Sequence, residues 1–192
     1  AEVDIDAAGL TFTDINNLTI ALGNLSLTSS GVISGADLQT ITLTGGGTPT
    51  GGAVSTFDMG TSVITGVTTT TTVTDVTFNA ADYTGVVKLT LNATANSLES
   101  VTTGSGADVI TVGGVADSGN AFNISTGAGI DTLIIASGAG AVKADYNGGA
   151  GVDVLQLAIG ANISTATLTL TSVEEISLVG GGTTTLAASF IS

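Results

Sequence analysis

One short motif occurs three times in the second half of this chain, and each copy reads Gly-x-Gly-x-Asp. The copies follow one another at near-constant spacing and are Gly104-Ser105-Gly106-Ala107-Asp108, Gly127-Ala128-Gly129-Ile130-Asp131 and Gly149-Ala150-Gly151-Val152-Asp153. Glycine lets the backbone take positive φ and turn its carbonyl groups toward one point. The aspartate adds a hard anionic oxygen of the kind that Ca²⁺ binds. Such a turn, repeated in this way, predicts a stack of β-coils bridged by calcium ions.

A short apolar run follows each aspartate and alternates as a β-strand does. The second and fourth residues after each aspartate share one face of a strand, and all of them are large and aliphatic: Ile110, Val112, Leu133, Ile135, Leu155 and Leu157. We predict that they fill the interior of the coils. The first and third residues face outward, and half of them are apolar: Val109, Thr111, Thr132, Ile134, Val154 and Gln156. This outer face is predicted to pack against another layer or subunit.

The repeat spacing predicts an all-β fold, a calcium-stabilised β-solenoid with coils of about 22 residues, a period typical of solenoids. A Thr-rich, β-rich part precedes these coils. We divide the chain into a Thr-rich β segment at 1–96, the calcium-binding coils at 97–160 and closing β strands at 161–192. For the first segment, a solenoid and a sandwich are both compatible with the pattern.

The three turns resemble degenerate copies of the nonapeptide G-G-x-G-x-D-x-U-x of the RTX proteins, a parallel β-roll that binds calcium. The third copy, at 148–156, matches every specified position, whereas Thr103 and Thr126 replace the first glycine of the other two. The motif recurs once per coil and not in tandem, which implies one calcium-binding side per coil. The resemblance covers about residues 97–160. The remainder resembles, more loosely, the Thr-rich and Lys-poor β-segments of RTX-bearing bacterial surface-layer proteins.

The predicted calcium ligands are the three motif carboxylates and backbone carbonyls of the motif glycines. The predicted site residues are Gly104, Gly106, Asp108, Gly127, Gly129, Asp131, Gly149, Gly151 and Asp153. Asp117, Asn120, Asp145 and Asn147, on the segments that return between repeats, offer further hard oxygens. We interpret these four as ordinary turn residues.

Composition excludes several classes of function. The 192 residues include 16 acidic side chains against two lysines, with no arginine or histidine, so the net charge is -14. Such a surface repels nucleic acid. Since 43% of residues are hydrophobic and only 9% charged, the chain is not a disordered acidic tail. It has no cysteine for disulfides or a thiolate metal site, and no apolar run long enough for a membrane span.

Enzymatic activity is not expected from these residues. Without His, Cys or Arg, the usual bases, nucleophiles and oxyanion partners are missing. Glu174 and Glu175 are neighbours, and neighbours on a strand point to opposite faces. They therefore cannot flank one glycosidic bond as a pair of catalytic carboxylates does.

The resemblance implies a structural module of a secreted bacterial surface-layer or extracellular matrix protein, located at the cell surface. Calcium would fold it and assemble it, and export of the type I kind is typical of RTX proteins. The expected partners are calcium ions, other copies of the chain or other parts of the same long chain, and cell-surface polysaccharide. Nucleic acid is not an expected partner.

Two alternatives remain open. One is an RTX adhesin or ligand-binding module, including an ice-binding solenoid, since Thr-x-Thr patterns occur at 40–44 and 167–171. An ice-binding surface needs threonine at equal positions in successive coils, and the outward residues after the three aspartates form no such ladder. The other alternative is the secretion-assisting RTX tail of an exported enzyme whose catalytic domain lies outside this sequence.

Overall fold

Parallel β-strands wound as a solenoid account for the regular structure of the chain. The computed structural model describes residues 2–5, 9–29, 31, 33–35, 37–47, 54–59, 64–66, 76–91, 98–113, 121–136, 143–158, 160–161 and 167–180. Every regular element among these residues is a strand, and none is a helix. Accordingly, this described part contains no helix that is long and apolar enough to cross a membrane. The predicted all-β, parallel solenoid is confirmed.

The strands are short, with two to seven residues each. In chain order they are β1 (Glu2–Ile5), β2 (Leu10–Phe12), β3 (Asn17–Gly23), β4 (Ser26–Ser29), β5 (Ile33–Gly35), β6 (Thr40–Gly45), β7 (Thr56–Asp58), β8 (Ile64–Gly66), β9 (Val76–Asn79), β10 (Val86–Leu91), β11 (Leu98–Thr102), β12 (Val109–Val112), β13 (Phe122–Ser125), β14 (Ala128–Gly129), β15 (Thr132–Ile135), β16 (Lys143–Asn147), β17 (Ala150–Gly151), β18 (Val154–Ala158), β19 (Thr167–Thr171) and β20 (Glu175–Val179).

Two long sheets run along the solenoid. The eight-stranded sheet has the order β1-β4-β7-β10-β12-β15-β18-β20, and the seven-stranded sheet has the order β19-β16-β13-β11-β9-β6-β3. All of the neighbouring strands pair in parallel, for example β12 with β15 and β13 with β16. Each strand therefore stacks on the equivalent strand of the preceding coil, as a solenoid requires.

The strands before and after residue 96 belong to the same two sheets, because β9 pairs with β11 and β10 pairs with β12. The N-terminal segment is thus a solenoid and not a sandwich. It carries a third sheet, β2-β5-β8, and the coils that contain the motif add the two-residue strands β14 and β17 at the motif turn. In the eight-stranded sheet, the register pairs Val109 with Thr132 and Thr132 with Val154. Each motif coil is therefore as long as the spacing between copies of the motif.

The predicted interior is confirmed. All six residues at the second and fourth positions after the aspartates have no exposed surface and belong to one hydrophobic core cluster. The six outward residues are half-buried. Their predicted packing against another layer or subunit therefore stays a prediction.

The last described strands lie at one end of the two long sheets. Ile176 and Leu178 of β20 stack on the buried Leu155 and Leu157 of β18, yet they are 49% and 61% exposed. The described part of the solenoid therefore ends in an apolar surface. Of the predicted closing segment 161–192, residues 162–166 and 181–192 lie outside the described residues.

Candidate metal centre

The motif glycines allow the turns of successive coils to stack in direct backbone contact. A Cβ at Gly129 would meet the carbonyl oxygen of Gly106, and a Cβ at Gly151 would meet that of Gly129. Both residues also have positive φ, 143° at Gly129 and 149° at Gly151. Any larger residue would separate the turns, so this close approach explains why glycine recurs there.

The expected positive φ occurs in two of the three turns. Gly127 and Gly149 have φ values of 85° and 92°, whereas Gly104 and Gly106 lie outside this left-handed region. In the first turn glycine is required by contact alone, because a Cβ at Gly104 would overlap the carbonyl oxygen of Tyr83. The preceding turn thus takes part in the stack although it lacks the motif.

The three motif aspartates form a hydrogen-bonded ladder inside the solenoid. The main-chain N–H of Asp108 donates to Asp131 Oδ1 at 2.7 Å, and that of Asp131 donates to Asp153 Oδ1 at 2.9 Å. Asp108 Oδ1 in turn accepts the N–H of Val87 at 2.7 Å. Each carboxylate therefore caps the backbone of the preceding coil, and none of the three side chains is exposed.

The second oxygen of each carboxylate lacks a partner. Among the described residues, Oδ2 of Asp108, Asp131 and Asp153 is buried and accepts no hydrogen bond. Burial raises the pKa of Asp108 to about 6, although the Thr103 hydroxyl and the Val87 N–H act in the opposite direction. Burial also raises the pKa of Asp131 to about 6, and the neighbouring carboxylates of Asp108 and Asp153 add to that rise. A buried unpaired anion is costly, so a cation bound beside these Oδ2 atoms would stabilise the folded state.

Threonine hydroxyls lie beside the first two carboxylates without satisfying them. Thr103 Oγ1 donates to the carbonyl of Thr126 at 2.9 Å, and Thr126 Oγ1 donates to the carbonyl of Gly148 at 3.0 Å. A hydroxyl has a single proton to donate. Each threonine can give that proton either to the carbonyl of the next coil or to the carboxylate beside it, so one hydroxyl does not satisfy both acceptors. Thr103 and Thr126, which replace the first glycine of the RTX pattern, therefore form a row of hydroxyl groups beside the row of carboxylates.

A tyrosine hydroxyl approaches the same interior. Tyr146 Oη lies 3.2 Å from Thr126 Oγ1. Burial raises the pKa of Tyr146 to about 12, and the three motif carboxylates add to that effect. The chain's two lysines do not reach the aspartate Oδ2 atoms: Lys88 pairs with Asp58, and Lys143 is a half-buried residue on the outward side of β16. The described interior supplies oxygens to the ladder but no cation.

This donor set fits a hard cation such as Ca²⁺, which takes six to eight oxygen ligands, carboxylates and carbonyls among them. The carbonyls of Gly104 and Gly127 each accept a hydrogen bond from the next coil, from Ala128 and Ala150 at 2.8 Å. A carbonyl oxygen has a second lone pair, so this does not prevent ligation. No group of three or more His, Cys, Asp or Glu side chains suited to a metal occurs in the described part. Any calcium site would thus combine few carboxylates with main-chain oxygens.

The structure brings all nine predicted site residues to one side of consecutive coils, and it adds a residue that we did not predict. Glu174 Oε2 accepts the N–H of Asp153 at 2.8 Å, which continues the ladder by one coil. The signal was its position about one coil after Asp153, with Ile176 and Leu178 following as the second and fourth residues. The Gly-x-Gly-x-Asp motif did not identify Glu174, because no Gly-x-Gly precedes it.

Two of the four further residues that we considered do not join this site. Asp145 and Asn147 are exposed on the outward face of strand β16, away from the buried ladder, so they are surface residues of a strand and not the turn residues that we expected. Asp117 and Asn120 lie outside the described residues.

The outward face of the seven-stranded sheet carries two columns of small polar side chains that sequence reasoning missed. The strand register aligns Thr19, Thr42, Asn79, Thr102, Ser125, Asn147 and Thr171 in one column. It aligns Asn17, Thr40, Thr77, Ser100, Asn123, Asp145 and Thr169 in the other. Our expectation that no ladder exists concerned the strands after the aspartates, whose outward residues are indeed mixed.

Comparisons of the chain with protein-family models, with curated proteins and with solved structures find no match.

Proposed function

We propose that this chain is a structural module of a secreted bacterial surface-layer or extracellular matrix protein, and that Ca²⁺ folds it. The observation that carries the proposal is the ladder of three buried carboxylates, each with one oxygen that has no partner among the described residues. The sequence resemblance to RTX turns points to the same ion. A solenoid whose coils stack strand on strand suits a role in building a surface.

Charge gives the physical reason for dependence on calcium. Stacked strands lie about 4.8 Å apart, so the carboxylates of successive coils repel one another across a buried interior. With 16 acidic and two basic residues in the chain, the protein itself supplies little counter-charge. A divalent ion beside each Oδ2 would replace this repulsion by attraction, and its binding free energy would become folding free energy.

Coupled folding also provides a route for export. At the low calcium concentration of the cytosol, self-repulsion destabilises the coils that carry the buried carboxylates. Extracellular calcium modules bind with dissociation constants of about 0.1–1 mM, and a ligand at ten times its dissociation constant stabilises the folded state by about 1.4 kcal/mol per site. The exported chain would therefore fold where calcium is abundant.

The test is a calcium titration of the EDTA-stripped chain, followed by far-UV circular dichroism and light scattering. We expect β-structure to increase as the coils from residue 98 onward fold, together with growth in particle size, and little response to Mg²⁺, which prefers a smaller octahedral shell. Asp131→Asn, which keeps an acceptor oxygen but removes one charge, should shift the midpoint to higher calcium. A chain that is fully β-rich in EDTA and indifferent to calcium would refute the proposal.

The same titration separates the assembly role from the secretion-tail alternative. Folding without particle growth would keep the calcium-dependent solenoid but contradict self-assembly. It would favour a module that works within a longer chain, such as the secretion-assisting tail of an exported enzyme.

A second candidate function is binding of cell-surface polysaccharide, and the two polar columns favour it. Their hydroxyl and amide groups recur at the strand spacing of about 4.8 Å on a face where Asp145 is the one charged member of the columns. A regular array of donors and acceptors suits a polymer with repeating hydroxyl groups.

Co-sedimentation with insoluble polysaccharide tests this second function. Thr102→Lys places a long side chain in the middle of one column, whereas Thr111→Lys makes the same change on the outward face of the other sheet. We expect only the first variant to lose binding. Equal binding by both variants would remove the columns from consideration.

A further inference from the structure

Glu174 occupies the position of a fourth rung in the carboxylate ladder. Its Oε2 accepts the N–H of Asp153 at 2.8 Å, just as Asp153 Oδ1 accepts the N–H of Asp131 at 2.9 Å. The N–H of Glu174 and that of Glu175 both donate to the carbonyl of Asp153, at 3.0 and 3.1 Å. Glu174 is therefore held against Asp153 by its main chain and by its side chain.

This last turn is shorter than the motif turns. The pairing of Asn147 with Thr171 aligns Gly148 with Ser172; Asp153 follows Gly148 by five residues, whereas Glu174 follows Ser172 by two. Ser172 takes a left-handed conformation with φ of 52°, which tightens the turn. The longer side chain of glutamate then reaches the place that an aspartate reaches from a longer loop.

Asp153 also differs from the two aspartates before it. Gly148 stands where Thr103 and Thr126 stand in the other coils, so no threonine hydroxyl of its own coil lies beside Asp153. A Cβ at Gly148 would come within 2.5 Å of Asp153 Oδ2, which shows that this oxygen occupies the space a threonine would need. Asp153 is fully buried and its Oδ2 has no partner among the described residues.

The coil that carries Glu174 is less packed than the motif coils before it. Glu174 itself is exposed, and Ile176 and Leu178 are about half exposed although they occupy interior columns. Elements with few buried apolar contacts open at low free energy. Repulsion between the carboxylates of Asp153 and Glu174, one coil apart, would weaken this coil further.

We propose that Asp153 and Glu174 together form a calcium position at the end of the ladder, and that the ion clamps the coil of β19 and β20 onto the solenoid. This inference rests on the proposed function, since it assigns a role to calcium. The ion would bind Asp153 Oδ2 and the Glu174 carboxylate, with water completing its shell. It converts the carboxylate pair from a repulsive contact into a bridge, so that docking of the last coil follows calcium.

The adjacent glutamates provide a matched test. Glu174→Gln keeps an oxygen for the Asp153 N–H but removes the charge, while Glu175→Gln removes a charge from the neighbouring, outward-facing residue. Hydrogen exchange with mass spectrometry, on the full chain in EDTA and in calcium, measures protection of the segment 167–180. Calorimetry measures the number of ions bound.

In the unmodified chain and in Glu175→Gln, we expect calcium to slow exchange in 167–180 by about tenfold or more, since 1.4 kcal/mol of stabilisation is tenfold. In Glu174→Gln that change disappears and calorimetry finds one ion fewer. The segment is also better protected in EDTA than in the unmodified chain, because the repulsion is gone.

Two failures are distinguishable. If calcium changes neither circular dichroism nor exchange anywhere in the unmodified chain, the proposed function itself fails. If calcium protects the strands of residues 109–158 but not 167–180, or if both glutamine variants behave alike, the clamp alone is overturned.

Discussion

A single stacked position changes its chemistry halfway along the solenoid. In the N-terminal coils this position is apolar and is occupied by Leu27, Phe57 and Val87, which are aligned by the pairing of β4, β7 and β10. In the C-terminal coils the same column continues as Asp108, Asp131 and Asp153. All six side chains are buried, the most exposed being Leu27 at 4%.

The two halves of this column show two ways to fill the inside of a β-turn. Hydrocarbon side chains need no partner and gain about 1.5–3 kcal/mol each from burial. Carboxylates cap a backbone N–H of the preceding coil, but they also bring one unpaired oxygen and one charge inside. The N-terminal coils should therefore stack without any ion, and we predict that dependence on calcium is confined to the coils from residue 98 onward.

The largest expected effect comes from breaking the backbone contact that the C-terminal turns require. Gly151→Ala places a Cβ against the carbonyl oxygen of Gly129 in a residue whose φ is 149°. Left-handed strain and overpacking together should lower the free energy of unfolding by about 3 kcal/mol or more. Urea denaturation in saturating calcium measures the change.

Gly23→Ala is the matched control in the N-terminal coils. Gly23 also has positive φ, 56°, but a Cβ there would meet no described atom within 4 Å. Strain alone should cost about 1 kcal/mol. Equal losses in the two variants would mean that the C-terminal turns do not depend on close stacking.

The next effect tests whether the carboxylate column needs its charge. Asp131→Asn can keep an oxygen acceptor for the Asp108 N–H while removing the buried anion. In EDTA at neutral pH, we expect the variant to be as stable as the unmodified chain or more so. In calcium it should be less stable, because one ligand is weakened. Thermal denaturation in both buffers gives the two comparisons.

Asp131→Val is the contrasting substitution, since it installs the residue found at position 87. It removes the acceptor as well as the charge and leaves the buried N–H of Asp108 unsatisfied, which costs about 1–3 kcal/mol. It should therefore be less stable than Asp131→Asn in EDTA. If valine and asparagine gave the same stability, the hydrogen bond of the ladder would contribute nothing.

Sequence alone was enough to predict the motif coils and their interior, because the glycines recur at near-constant spacing and Leu133 and Ile135 repeat the phase of Ile110 and Val112. Glu174 was not predicted because its turn lacks three residues of the motif loop. A functional residue in a shortened turn, such as Glu174, is recognised only when the strand pairing shows which residues of the other coils it is aligned with.

The polar columns were hidden for a related reason. Successive members of one column are separated by unequal lengths of chain, since the segment from Thr42 to Asn79 is much longer than that from Thr19 to Thr42. The parallel register is kept although the lengths of chain between the strands differ. A search for constant spacing therefore finds the aspartates and passes over the threonines.

A third, smaller effect is a pH dependence of stability that we expect from the C-terminal half of the column, which contains the carboxylates, and not from its apolar N-terminal half. Burial raises the pKa of Asp108 and Asp131 to about 6 from the usual value of 3.8, so the folded state holds its protons to higher pH than the unfolded state. The stabilisation that comes from protonating these two carboxyl groups in the folded state is complete below about pH 4 and is lost as the pH rises toward about 6. In EDTA the chain should melt at a higher temperature at pH 5 than at pH 7.

Calcium should oppose this trend, since it competes with protons for the same oxygens. Thermal melts of Asp108→Asn/Asp131→Asn in EDTA provide the control, and they should lose most of the difference between pH 5 and pH 7. If that variant kept the full pH dependence, groups outside the ladder would be responsible for it.

The smallest effect concerns a charge pair on the outside of the N-terminal coils. Lys88 Nζ lies 3.4 Å from Asp58 Oδ2, and the two side chains are 47% and 27% exposed. Water and salt screen such a pair, so Lys88→Gln should change the free energy of unfolding by less than about 0.5 kcal/mol. Urea denaturation at low and high salt measures it. A larger loss than that of Asp131→Asn in calcium would contradict the comparison, because it would place the important charges of this solenoid on its surface and not in the buried column.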